Sequence, residues 1–95
     1  MELTPGQAAL RRLVIDWLDD NFHFGDAEAL IGNNEDQSFL KNGILDSLGF
    51  VKLILHIENR CNVRLDPKRL TPENFDSLQR IVHYVSALPG FRSPA

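Results

Sequence analysis

Cysteine is nearly absent from this sequence of 95 residues, since Cys61 is the only one. A disulfide framework and a thiolate zinc site within the chain are therefore both excluded. Basic residues are also few: ten Lys and Arg stand against 13 Asp and Glu, whereas nucleic-acid-binding modules usually carry a basic excess. No apolar run is long enough to span a bilayer, and no cationic segment precedes an apolar one near the start. We therefore expect a cytoplasmic protein that binds no nucleic acid and does not insert into a membrane.

The length allows only one hydrophobic core. With 43% hydrophobic and 24% charged residues, the composition is that of a globular domain. A chain of this size buries only about 60 to 65% of its unfolded surface, which leaves little material for a catalytic cleft. We expect a single domain over residues 1–95, with a core over about 4–88, a flexible tail over 89–95 and no catalytic activity of its own.

Helical periodicity is clear near both ends of the chain. The first helix is predicted to begin at Thr4, where a capping hydroxyl precedes a proline and Gln7 closes a capping box, and to end near Asn21. The last helix is predicted to begin at Asp76, with Gln79 three residues later as its capping partner. Pro89 stops it.

Between these helices the pattern predicts a long loop, a central helix and a short helix. The central helix runs from Ser47 to about Arg60 and is apolar around most of its circumference. Its apolar residues are Leu48, Phe50, Val51, Leu53, Ile54, Leu55 and Ile57. The loop over 21–45 is roughly 25 residues long, which is uncommon unless it is functional or contains short elements. Residues 71–75 leave room for a single helical turn. The central helix also has one polar strip, predicted to face solvent or a partner because its residues are three or four positions apart: Gly49, Lys52, His56 and Asn59.

The most informative stretch lies where the long loop meets the central helix. Asp46 can cap this helix, which leaves Ser47 in the first turn. Backbone N–H groups without intrahelical partners and the positive end of the helix dipole stabilise an anion there, so a phosphodiester on Ser47 would suit this position. The same tripeptide recurs as Asp76-Ser77-Leu78, and there we interpret it as a helix cap alone. Only Ser47 is followed by enough residues to complete a helical domain.

The run from Gly43 to Val51, Gly-Ile-Leu-Asp-Ser-Leu-Gly-Phe-Val, resembles the modification site of acyl and peptidyl carrier proteins. The resemblance extends over nearly the whole chain. It implies an all-α four-helix bundle of the acyl-carrier type with a long first loop and a short third helix. It also implies that a 4'-phosphopantetheine arm is attached to Ser47, beside the capping Asp46, by a magnesium-dependent phosphopantetheinyl transferase that uses coenzyme A.

The same resemblance implies a partner surface and a set of partner enzymes. Leu48 and the polar strip that contains Gly49, Lys52 and His56 would contact those partners. The thiol of the arm would carry a thioester between a separate adenylating ligase and downstream acyl-accepting enzymes. The carrier itself would be non-catalytic, because the cofactor supplies the reactive atom. It is also expected to be a monomer.

Two departures indicate which kind of carrier this is. Carriers of fatty-acid synthesis have a strongly acidic second helix, but here Lys52 and Arg60 stand against Glu58. The residues before Asp46 and the segment 71–75 are more similar to free-standing carriers of the D-alanyl and aminoacyl type. We therefore expect an aminoacyl or small acyl cargo and a specialised pathway such as nonribosomal peptide biosynthesis. The alternative within the class is an acyl carrier of fatty-acid or polyketide synthesis.

A protein from another class is the remaining alternative. In a purely structural helical interaction module, Asp46 and Ser47 would only cap a helix. A hydrolase is disfavoured because Ser47 lacks a Gly-x-Ser-x-Gly elbow. No metal site is expected, because the three histidines lack paired ligand spacing. Cys61 is expected to be a buried hydrophobe.

Overall fold

The fold is all-α, as predicted, over the residues that the computed structural model describes, 3–23 and 25–94. The termini of the predicted domain, residues 1, 2 and 95, lie outside these ranges. No strand occurs within them, and no helix there has the length and apolar character needed to cross a membrane. The helices are α1 at Pro5–Leu18, α2 at Ala27–Ile31, α3 at Ser47–Cys61, α4 at Pro72–Phe75 and α5 at Leu78–Ser86, with a π-helical segment at Asp19–His23 and a 3₁₀ turn at Pro67–Arg69.

Helix α1 begins with the capping box that the sequence predicts. The Thr4 hydroxyl accepts the Gln7 N–H at 3.1 Å, and the Gln7 side chain accepts the Thr4 N–H at 3.1 Å. Its buried face packs against α3 and α5 and includes Leu10, Val14 and Leu18. The π-helical segment carries the helical path a little beyond the predicted end.

Helix α5 is capped by a different residue from the predicted one. Ser77, not Asp76, is the N-cap, and its hydroxyl accepts the Arg80 N–H at 3.1 Å. Ser77 is 1% exposed and also donates to Asp36 Oδ1 at 2.8 Å. The carboxylate of Asp76 is directed to the long loop instead, where it accepts the Leu40 N–H.

The long loop contains the short helix α2 and is held against the bundle over much of its length. Arg11 of α1 pairs with Glu35, with Nη2 3.0 Å from Oε2, and the Glu35 carbonyl accepts the Gln79 N–H at 2.9 Å. Phe39, Ile44 and Leu45 are buried in the core. The loop therefore reaches α3 along a fixed path.

The residues after α5 also contact the bundle. Phe91 packs against the core, and its ring lies beside Gly6 of α1. The Arg92 N–H donates to the Cys61 carbonyl at 2.8 Å, and the Asn62 side chain donates to the Gly90 carbonyl at 3.4 Å. These contacts join the start of the predicted tail to the C-terminal end of α3.

Candidate functional site

An aspartate caps helix α3, and the serine that follows it does not. Asp46 is the N-cap, and its Oδ1 accepts the Gly49 N–H at 2.7 Å. Its carbonyl accepts the Phe50 N–H at 2.9 Å. Ser47 is therefore the first residue of a 15-residue helix, and it is exposed to solvent.

The surroundings of Ser47 suit an anion on its oxygen. The first turn of α3 contains no acidic residue, and the carboxylate of the preceding Asp46 accepts the Gly49 N–H. The N-terminal end of a helix carries a partial positive charge and backbone N–H groups with no intrahelical acceptor. A phosphodiester at this position would meet favourable electrostatics.

A shallow apolar groove begins at Ser47. It has a volume of about 230 Å³ and is bounded by the long loop, by α3 and by the residues of the α4 region. The lining residues are Leu40, Ser47, Phe50, Val51, Ile54, Leu70, Thr71 and Phe75. A group attached to Ser47 could therefore lie against apolar side chains.

Three of the four residues predicted to contact partners are accessible. Leu48 is 64% exposed, Lys52 is exposed and His56 is partly buried. The expected exposure of Gly49 is wrong, because Gly49 lies on the buried side of α3, one turn before the fully buried Leu53. Gly49 therefore contributes a buried backbone at this point and no accessible surface.

The exposed face of α3 is more apolar than the sequence suggested. Val51 and Leu55 are 56% and 55% exposed, although their hydrophobicity had placed them among the apolar residues of a central helix. Together with Leu48 and Lys52 they form a surface that we call the α3 ridge: Leu48, Val51, Lys52 and Leu55. Their spacing of three and four residues was the available signal, since it puts all of them on one side of a helix.

Two ionisable groups in the C-terminal half of α3, His56 and Cys61, have shifted pKa values. Burial, with a smaller contribution from the nearby Arg60 charge, lowers the pKa of His56. Burial raises the pKa of the Cys61 thiol, and Cys61 is fully buried. Among the described residues, no cluster of three or more His, Cys, Asp or Glu is placed to hold a metal ion.

The second Asp-Ser-Leu tripeptide differs from the first by one position. At α3 the aspartate caps and the serine is the first helical residue, whereas at α5 the serine caps and Leu78 is the first helical residue. Ser47 is consequently exposed and Ser77 is buried. The structure therefore distinguishes two serines that share the same local sequence.

Comparisons with known families and with individual proteins both indicate a carrier protein. A family model described as a phosphopantetheine attachment site matches residues 8–85. The D-alanyl carrier protein of Leuconostoc mesenteroides is 28% identical over 60 residues, which cover 63% of this chain and 77% of that protein. The D-alanyl carrier protein of Streptococcus sanguinis is 32% identical over 53 residues, or 56% and 67% of the two chains. D-alanyl carrier protein 2 of Lactiplantibacillus plantarum is 29% identical over 58 residues, or 61% and 72%. No solved structure matches.

Proposed function

Because the chain belongs to the phosphopantetheine attachment-site family, whose cofactor is a covalently attached 4'-phosphopantetheine, we propose that Ser47 is the attachment residue. The observation that carries this proposal is the position of the α3 cap. Asp46 satisfies the Gly49 N–H, so the exposed Ser47 hydroxyl is not needed to cap the helix. The buried Ser77 is committed to its own helix and to Asp36.

Each residue at the start of α3 would have a separate role in holding the arm. The Ser47 hydroxyl would lose its proton and its oxygen would bond to the pantetheine-side phosphorus of coenzyme A, while the pyrophosphate bond breaks and the adenosine bisphosphate half leaves. The first turn of α3 would stabilise the negative charge of the phosphodiester. Asp46 would keep that turn in place. The groove beside Ser47 offers apolar contact to groups near the attachment point. When attached, the arm supplies the terminal thiol that holds the cargo as a thioester.

Carriers of this family are generally non-catalytic and interact with transferase and ligase partners. We propose that those partners dock on the α3 ridge, with Leu48 and Lys52 in contact and His56 beside them. Three exposed apolar side chains on one helix face support this, because contiguous exposed apolar surface commonly marks an interaction site. Gly49 would act only through the backbone of α3.

For the cargo, we propose an aminoacyl or small acyl group loaded by a separate adenylating ligase. The support is the repeated similarity to D-alanyl carrier proteins. A fatty-acid or polyketide carrier is the second candidate, and the apolar groove beside Ser47 favours it, because such a groove could shelter a longer acyl chain. Nonribosomal peptide biosynthesis as the pathway and a cytoplasmic location stay predictions.

The attachment proposal is tested by intact-protein mass spectrometry. The apo protein is incubated with coenzyme A, Mg²⁺ and a broad-specificity phosphopantetheinyl transferase. One phosphopantetheine per chain is expected on the wild type and none on Ser47→Ala. No gain on the wild type, or the same gain on Ser47→Ala, would contradict the proposal.

The cargo and docking proposals are tested together with the holo protein. A D-alanine-activating ligase should load the carrier faster than a long-chain acyl ligase, and the reverse order would favour the second candidate.

Leu48→Ala should slow loading, whereas Leu30→Ala is the matched control because Leu30 is 48% exposed but lies on α2. Equal effects of these two substitutions would contradict docking at the α3 ridge.

A further inference from the structure

Asp76, between α4 and α5, binds three consecutive residues of the long loop. Its Oδ1 accepts the Leu40 N–H at 3.0 Å, and its Oδ2 accepts the Ser38 hydroxyl. Its carbonyl accepts the Phe39 N–H at 2.8 Å. Hydrogen bonds to an ionised carboxylate are stronger than those between neutral groups, so the segment 38–40 is firmly held.

The segment 38–40 is in turn bonded to the residues that lead into α3. The Phe39 carbonyl accepts the Ile44 N–H at 2.9 Å and the Leu45 N–H at 3.3 Å. The Phe39 side chain is fully buried, with its ring centroid 6.3 Å from that of Phe50 in α3. The backbone of 44 and 45 runs directly into Asp46 and Ser47. A displacement of 38–40 would therefore reach the start of α3.

Asp76 also joins two segments that line the groove beside Ser47. Leu40 lines it from the long loop, and Phe75, the residue before Asp76, lines it from α4. The hydrogen bond from the Leu40 N–H to Asp76 fixes these two segments relative to each other. The shape of the groove and the approach to Ser47 thus depend on a carboxylate that does not itself line the groove.

We propose that Asp76 is a positioning residue for the modification of Ser47: its carboxylate holds the segment 38–40 and thereby fixes both the groove and the start of α3. The inference rests on Ser47 as the attachment residue. Geometry of this kind matters because a carrier that holds the competent arrangement of the groove and of the start of α3 for only a fraction of the time binds its transferase with an affinity reduced by that fraction. Asp76 does not cap α5, because Ser77 does, so its carboxylate is available to hold the long loop.

The chain offers a matched control in Asp36. This carboxylate also links the long loop to the start of α5, through the Ser77 hydroxyl at 2.8 Å and Arg80 Nε at 2.9 Å. Its side chain bonds to these two side chains and to no backbone N–H of 38–40 among the described contacts. A general loosening of the loop from α5 should therefore follow either substitution, whereas the effect on Ser47 should follow only the loss of Asp76.

The test measures modification kinetics and amide hydrogen exchange on the full-length apo protein. Asp76→Ala should raise the KM of the transferase for the carrier at least about fivefold with little change in kcat, because it removes two hydrogen bonds to the carboxylate and one ordinary hydrogen bond already corresponds to about that factor. Asp36→Ala should change KM by less than about twofold, because the Asp36 side chain bonds to Ser77 and Arg80 of the α5 region and, among the described contacts, not to the segment 38–40. Asp76→Asn should restore most of the wild-type KM, because its amide can still accept from Leu40 and donate to the Ser38 oxygen. Exchange at the Phe39, Leu40, Ile44 and Leu45 amides should rise in Asp76→Ala alone.

Each outcome decides between the two proposals. Equal KM values for Asp76→Ala and Asp36→Ala, or no rescue by Asp76→Asn, would overturn the positioning role while Ser47 remained modified. Exchange that rises equally throughout Asp76→Ala would show a merely structural role and also overturn it. If Asp76→Ala does not fold, Ser38→Ala is used in its place, because it removes the hydrogen bond from the Ser38 hydroxyl to Asp76. Its KM and its amide exchange are then compared with those of Asp36→Ala. Absence of modification on the wild type would instead remove the attachment proposal.

Discussion

Asp46 Oδ1 lies 2.7 Å from the backbone nitrogen of Gly49 and accepts its hydrogen bond, which closes the first turn of α3. At the start of α5 the equivalent bond is made by a serine, since the Ser77 hydroxyl accepts the Arg80 N–H at 3.1 Å. The two Asp-Ser-Leu tripeptides are thus used one position apart. The shift leaves a serine available at α3 and an aspartate, Asp76, available at α5.

Removal of the α3 cap should destabilise the protein without removing the attachment oxygen. Asp46→Ala should lower the free energy of unfolding by about 1 kcal/mol, the usual cost of losing an N-cap, and Asp46→Asn should retain most of that stability. Urea denaturation followed by circular dichroism measures both. Wild-type stability in Asp46→Ala would show that the bond to Gly49 contributes nothing.

The two serines should differ in how much stability is lost on substitution by alanine. Ser77→Ala should lower the free energy of unfolding by about 1 to 2 kcal/mol, because it removes the α5 cap and a partly buried hydrogen bond to Asp36. Ser47→Ala should change stability by less than about 0.5 kcal/mol, since Ser47 is exposed. Thermal unfolding of both variants provides the measurement. Similar losses in the two variants would contradict the different roles assigned to them.

The stability of the protein should decrease on mild acidification because of His56. Burial, assisted by Arg60, lowers the pKa of His56 in the folded protein. The unfolded chain then binds the proton more readily, so the stability contributed by neutral His56 is fully present above the ordinary pKa of about 6.5 and is lost as the pH falls below it. His56→Gln should flatten the dependence of unfolding free energy on pH between about 7.5 and 5.5. An unchanged slope in the variant would show that His56 does not contribute.

The contact between Phe91 and α1 should contribute to stability. Phe91→Ala should lower the free energy of unfolding by about 1 to 2 kcal/mol, less than for a fully buried phenylalanine because the ring is only partly buried. Arg92→Ala is the control, because Arg92 is exposed and its bond to Cys61 is made by the backbone. Differential scanning calorimetry compares the two. Equal melting temperatures would mean that the ring adds no stability.

Local sequence signals predicted the helices well but could not choose between adjacent capping residues. Thr4 and Gln7 form the expected capping box because both partners lie within one turn. At α5, both Asp76 and Ser77 have suitable side-chain oxygens. The choice is made by the long loop, whose Leu40 N–H lies 36 residues away in sequence and binds Asp76. Only the folded structure contains that information.

The candidate site shows a similar limit. The stretch around Ser47 was recognisable because the cap, the first turn and the phosphate-favouring helix end are all local. The orientation of α3 was not, because a helix that is apolar around most of its circumference does not indicate which face is buried. For this reason the sequence did not predict that Val51 and Leu55 are exposed, and it wrongly predicted that Gly49 is exposed. The groove joins residues near 40, 50 and 70, which no local pattern could bring together.

Tryptic peptide mapping after modification shows directly whether the arm is attached to Ser47 and to no other residue. Cleavage after Lys41 and Lys52 releases the peptide 42–52, which contains Ser47, and cleavage after Arg69 and Arg80 releases 70–80, which contains Ser77. We expect the phosphopantetheine mass wholly on the peptide 42–52. Its presence on 70–80, or its absence from both peptides, would show that Ser47 is not the attachment residue.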